Sequence, residues 1–118
     1  VFDFLDNLIK NKESRYNFVI LDPPPFAKSR SILRNAIKGY RELNRKAMQI
    51  LPRGGYLATC SCSHFMTDAY FRQMLHNAAS DASVSLRQVD ARAQSPDHPI
   101  LWNVPETNYL KFYIFQIV

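Results

Sequence analysis

Apolar residues fall at positions 1, 2, 4, 5, 8 and 9 of "VFDFLDNLIK", a spacing that predicts a short amphipathic helix, and the polar run "NKESRYN" ends it. "FVILD" is a short unbroken apolar run of the kind that suits a strand buried on both faces. Three prolines follow Asp22, and a proline triplet cannot donate ladder hydrogen bonds, so the strand stops and the chain leaves the sheet there. From about Ser29 to Leu51 the residues Ile32, Leu33, Ala36, Ile37, Tyr40, Leu43, Ala47, Met48, Ile50 and Leu51 recur at helical spacing, and Pro52 with Gly54-Gly55 stops the element. "GYLATCSC" predicts a second buried strand, after which Thr67 or Asp68 is placed to cap a helix through roughly Ala79. "VSLRQVDA" alternates like a strand, "QSPDHP" reads as loop, and "NYLKFYIFQIV" as a long aromatic and β-branched final strand.

Strands alternating with helices predict a layered α/β fold with crossover connections. Ligands in such sheets bind outside the carboxyl ends of the strands. "DPPPF" after the first strand and "CSCSH" at the end of the second therefore belong to one rim, and because consecutive strands usually lie side by side, Asp22 and the cysteines are expected around one cleft.

A chain of 118 residues bounds this to about one small domain or part of one. The formal charge of +5, from 15 basic against 10 acidic residues, is concentrated between Lys28 and Arg53, which suits a polyanionic partner as well as a solvated helix face. No run approaches the roughly 20 apolar residues that span a bilayer, and the N-terminus lacks the basic-then-apolar order of a signal peptide. A cytoplasmic protein with no membrane partner is expected. Cys60 and Cys62 lack the spacing of a metal site and would close almost no loop as a disulfide, so both are expected as reduced thiols, with no metal bound.

The combination of "DPPPF" after an apolar strand, "GYRELNRKAMQILPRGGYLATCSCSHFMT", and then "DHP", "PET" and "YLK" is similar to the bacterial large-subunit ribosomal RNA 5-methylcytosine methyltransferase family, enzymes of the class I type that use S-adenosyl-L-methionine. The likeness runs from about Asp22 to the end of the chain. It implies the C-terminal half of a Rossmann-like class I methyltransferase sheet, mostly parallel with an antiparallel last strand, with ribosomal RNA as partner. Such enzymes hold the methionine part of the cofactor in a glycine-rich loop after their first strand, whereas the glycines here are at 39, 54 and 55. Residues 1–118 are thus expected to be a partial methyltransferase domain, a fragment of a longer protein that is inactive alone. Its sheet would expose an unpaired inner edge through which copies could self-associate.

Carbon 5 of cytosine is a poor nucleophile unaided. The usual chemistry adds a thiolate to carbon 6, which leaves electron density on carbon 5 to attack a sulfonium methyl; loss of the C5 proton and expulsion of the cysteine follow. That needs a thiol, an acid at the polar edge of the base and a backbone able to approach closely. By the resemblance, Cys62 in "SCS", Asp22, and the carbonyls of Pro23 and Pro24 supply them. Cys60 is the second candidate nucleophile and otherwise a small core residue. Asp22 can alternatively cap the loop amides. Val1, Phe2, Asp22 and Pro23 are the cofactor-side candidates, and Phe26, Lys28, His98 and Tyr109 the substrate-side ones. Phe26 could stack on a base or fill the loop floor. Trp102 and Tyr109 could stack on RNA or pack beside the strand, and His64 could face the thiolate or solvent.

Two other functions fit parts of the pattern. "DPP" followed by an aromatic also resembles methyltransferases acting on amino groups of adenine, guanine or glutamine, which need no covalent nucleophile, so Cys62 is the discriminating residue. A non-catalytic RNA-binding domain of the same fold is the other.

Overall fold

The computed structural model describes residues 2–10, 16–23, 33–63, 65–94, 99–104 and 109–118. In chain order they form α1 (Phe2–Lys10), β1 (Phe18–Leu21), α2 (Leu33–Ile50), β2 (Tyr56–Ser61), α3 (Asp68–Ala82), β3 (Leu86–Arg92) and β4 (Lys111–Ile117). The four strands make one sheet in the order β1-β2-β4-β3. β1 and β2 pair in parallel, while β4 is antiparallel to both β2 and β3. Three strands therefore run one way and the last strand opposes them, the α/β arrangement expected from the sequence. Chain order alone would have set β3 beside β2; instead β4 is inserted between them.

Local chemistry sets the element ends. The long second helix begins, among the described residues, at Leu33 and stops at Ile50, where Gly55 N–H donates to the Pro52 carbonyl (2.9 Å) and Gly54 takes a φ of +88° that a side chain would resist. Thr67 caps α3, its hydroxyl accepting from the Tyr70 N–H at 3.2 Å. The helix runs past the expected Ala79 to Ala82. Ser83 closes it in the left-handed conformation (φ 58°), and Val84 N–H donates to the Ala79 carbonyl (3.0 Å).

The core lies between the sheet and its helices, with Leu5 and Leu8 of α1, Tyr40, Leu43 and Met48 of α2, and Phe71, Met74 and Leu75 of α3 packed against Leu21, Leu57, Tyr113, Phe115 and Ile117. β4 shows the period of two directly: Lys111, Tyr113, Phe115 and Ile117 are buried, and the residues between them half-buried. Phe71 stacks on Tyr113 at 6.0 Å and Tyr113 on Phe115 at 5.7 Å, tying α3 to the sheet.

One expectation is corrected here. β1 is not buried on both faces: Leu21 is buried, but Phe18 is 49% and Ile20 68% exposed. The helices cover the face carrying Leu21, and β1 has β2 as its only strand partner among the described residues, so Phe18 stacks on the equally outward Tyr56 (6.2 Å) rather than in a core.

Candidate active-site rim

Parallel pairing with Leu21 opposite Thr59 brings β1 and β2 to an end together, so the next residues, Asp22 and Cys60, meet. Cys60 Sγ donates to Asp22 Oδ1 at 3.2 Å and lies 3.5 Å from the Leu21 carbonyl oxygen. Asp22 is exposed and Pro23 half-buried, whereas Cys60 is buried. Burial, then the hydrogen bond and charge of Asp22, push the Cys60 thiol up to about 12, with the neighbouring Cys62 adding to the rise. At neutral pH this sulfur is a thiol that holds the carboxylate.

Cys62 is different. β2 ends at Ser61, so Cys62 sits in the turn beyond the strand, free and exposed. Side chains on the helix-facing side of β2 anchor that turn. Thr59 Oγ1 donates to Asn44 Oδ1 (2.7 Å), and Asn44 Nδ2 to the Tyr40 carbonyl (2.8 Å). Ser61 Oγ donates to the Tyr40 hydroxyl (3.2 Å) and accepts from the Ser63 N–H (3.4 Å). Thr59, Asn44 and Ser61 are all but inaccessible, and no buried side-chain nitrogen or oxygen among the described residues lacks a partner. The Ser63 carbonyl accepts from the Met66 N–H (3.2 Å) and from Lys111 Nζ (2.5 Å). Lys111 Nζ also donates to the Tyr109 carbonyl (2.6 Å). Burial pulls Lys111 down to about 8, opposed by the charges of Cys62 and Asp68.

The structure thus brings together four of the residues named from sequence: Asp22 and Pro23 beyond β1, Cys62 beyond β2, and Tyr109, half-buried, leading into β4. Pro24, Phe26, Lys28, His64 and His98 lie outside the described residues, as do Val1 and the side chain of Phe2. Trp102 stands 98% exposed on a tight turn in which Val104 N–H donates to the Leu101 carbonyl (3.0 Å), so it does not pack beside the strand. Among the described residues no helix is long and apolar enough to cross a membrane, and no three His, Cys, Asp or Glu side chains are grouped to hold a metal.

Sequence reasoning missed Asn44 and Lys111. Asn44 carried no local signal, being one more polar residue of a mostly polar helix. Lys111 did: in "KFYIFQI" the alternation puts it in phase with Tyr113, Phe115 and Ile117, so a charged residue occupies an inward position.

No protein-family model matches the chain. It is 39% identical over 109 residues to the ribosomal RNA large subunit methyltransferase I of Pseudoalteromonas atlantica, covering 92% of this chain and 28% of that protein. Against the enzymes of the same name from Vibrio vulnificus and Escherichia coli the identity is 38% and 33%, with the same coverage. The chain therefore spans less than a third of the length of these relatives. Among solved structures, SMU.776, described as a methyltransferase and crystallised with S-adenosylhomocysteine, superposes with a TM-score of 0.80 at 22% identity over 98% of this chain and 30% of that one. A Streptococcus mutans protein described as an S-adenosylmethionine-dependent methyltransferase gives 0.78 at 22% identity over 98% of this chain and 28% of that one. The fold of residues 1–118 is the fold of about the corresponding third of those two proteins, and its sequence relatives are ribosomal RNA large subunit methyltransferases I.

Proposed function

We propose that these residues are part of the catalytic domain of an S-adenosylmethionine-dependent methyltransferase that acts on large-subunit ribosomal RNA, and that it methylates carbon 5 of a cytosine with Cys62 as nucleophile. The observation that carries the reading is the 39% identity, along 92% of the chain, to a protein named for large-subunit ribosomal RNA methylation. Support for carbon 5 over an amino group comes from the rim: a free, exposed thiol at a strand end, two residues beyond the Cys60 thiol that Asp22 engages. A methyltransferase acting on an amino group has no use for that thiol.

The rim suits the cofactor at the methyl-donating end. Asp22 and Pro23 stand at the carboxyl end of two parallel strands, where α/β sheets bind ligands, and the Cys60 hydrogen bond sets the Asp22 carboxylate in place. Val1 and Phe2 would flank the adenine. When bound, S-adenosylmethionine supplies an electrophilic methyl group to carbon 5.

The protein's own residues do the rest. The Cys62 thiolate forms a bond to carbon 6 of the cytosine as the C5–C6 π bond opens toward carbon 5. Asp22 and the carbonyl oxygens of Pro23 and Pro24 hold the polar edge of the base. With the methyl group on carbon 5, water takes the C5 proton, and the electrons of that C–H bond re-form the C5–C6 double bond as the C6–S bond breaks and Cys62 leaves as thiolate. Phe26, Lys28, His98 and Tyr109 would contact the RNA.

The test uses the full-length protein, large-subunit RNA and methyl-labelled cofactor. Cys62→Ala should abolish methylation while cofactor binding persists, Cys60→Ala should be much milder, and RNA carrying 5-fluorocytosine should be trapped on Cys62, because fluorine does not leave as the proton does. Adduct formation by Cys62→Ala would move the role to Cys60; methylation unaffected by either substitution would point to an amino group instead.

A further inference from the structure

Lys111 opens β4 directly opposite Ser61, in the phase of the strand that faces the core. A lysine so placed ordinarily snorkels to water or finds a carboxylate. Here it is only 6% exposed, and among the described residues it forms no ion pair; its ammonium donates to two neutral acceptors, the carbonyl oxygens of Ser63 and Tyr109. Holding a cation there is unfavourable unless a negative charge is near. Burial accordingly pulls Lys111 down to about 8, and the charges that oppose this are Cys62 first and Asp68 second. The Asp68 carboxylate is already engaged by the Tyr113 hydroxyl, with Arg72 also close to that hydroxyl. Among the described residues Cys62 has no such partner.

We propose that Lys111 is a positioning residue for Cys62: it ties the turn that carries the thiol to the first residue of β4, and its ammonium is the positive charge that a thiolate at Cys62 faces. The inference rests on the reading of Cys62 as nucleophile. The two halves of the arrangement act together. The Ser63 carbonyl clamp fixes the backbone one residue past Cys62, and a deprotonated Cys62 would add its negative charge to that of Asp68 beside the buried ammonium. Among the described residues, the charged and titratable groups that act on the pair are Asp68 at the start of α3, on Lys111, and Cys60 on β2, beside Cys62; Cys60 stays neutral and itself faces Asp22 beyond β1. Lys111 does not touch the base in this scheme; it acts through Cys62.

The experiment measures the alkylation rate of Cys62 by iodoacetamide at neutral pH in the full-length protein, read by mass spectrometry of the Cys62 peptide. Lys111→Met should slow it about tenfold, and Lys111→Arg should restore most of the rate. An unchanged rate in a folded Lys111→Met protein overturns the proposal. If Lys111→Met does not fold, the parent protein carries the test: capping Cys62 as its methyl disulfide should move the NMR titration of the Lys111 ε-methylene below about 8, and no movement overturns it. Methylation assays separate the two ideas. If Cys62 reactivity depends on Lys111 but Cys62→Ala still methylates RNA, the proposed reaction fails and the Lys111–Cys62 coupling stands. If Cys62→Ala is inactive but the alkylation rate of Cys62 is unchanged by Lys111→Met, the reverse holds.

Discussion

Cys60 and Asp22 are joined across the ends of β1 and β2, the thiol donating to the carboxylate at 3.2 Å from a buried position. Two cysteines one residue apart are therefore chemically unequal. Cys60 is neutral until the pH approaches about 12. With the native protein under limiting maleimide at neutral pH, label should appear on Cys62 and reach Cys60 only after denaturation. Equal labelling of both cysteines in the folded state would contradict the assignment of Cys60 as the holder of Asp22.

The buried pair Thr59–Asn44 makes a prediction about stability. Asn44→Leu leaves the Thr59 hydroxyl without its acceptor in a site closed to water, which costs about 1–3 kcal/mol. Adding Thr59→Val removes the orphaned group and should recover part of that loss. Urea unfolding of the two variants measures both. A double variant no more stable than Asn44→Leu alone would show that the cost came from packing instead.

Lys111 gives the pH dependence a sign. It titrates near 10.5 when unfolded and about 8 when folded, so between those values the unfolded chain holds more protons and Lys111 makes stability rise with pH. Below about 8 both states are protonated, and the burial penalty is present in full and constant. The unfolding free energy of the parent minus that of Lys111→Met should thus be flat at lower pH and climb across that window. A difference that stays flat throughout, in urea titrations at stepped pH, would sink this account.

Among the described residues β1 is an edge strand, with exposed Phe18 and Ile20 on its open face, the kind of edge that recruits further strands. A polypeptide of residues 1–118 alone should self-associate, and Ile20→Lys should suppress it. Light scattering against concentration is the measurement; a monomer at high concentration without the substitution would rule out association through this edge.

Most elements were legible because their signals are local. The helical stripe of α2, a cap at Thr67 or Asp68, the stop at Gly54-Gly55 and the aromatic, β-branched run of β4 depend on residues within a turn or two of each other, and among the described residues each element is there, with Thr67 as the cap and β4 starting at Lys111. The proline stop after Asp22 likewise placed that carboxylate at a strand end without any tertiary information.

What the sequence determined by itself, then, is the order and kind of the elements, the α/β class, and the presence of Asp22 and both cysteines at the carboxyl ends of strands. Periodicity and proline chemistry act within a few residues, so a single chain displays them openly. Only the tertiary structure decided that Cys60 is buried against Asp22 while Cys62 is exposed, that β4 enters between β2 and β3, that one face of β1 is open, and that Asn44 and Lys111 hold the rim. Each of these depends on partners tens of residues apart: Asp22 against Cys60, Asn44 against Thr59, Lys111 against Ser63. Burial, and with it the charge a side chain can carry, is set by which elements close over it, and no local pattern records that.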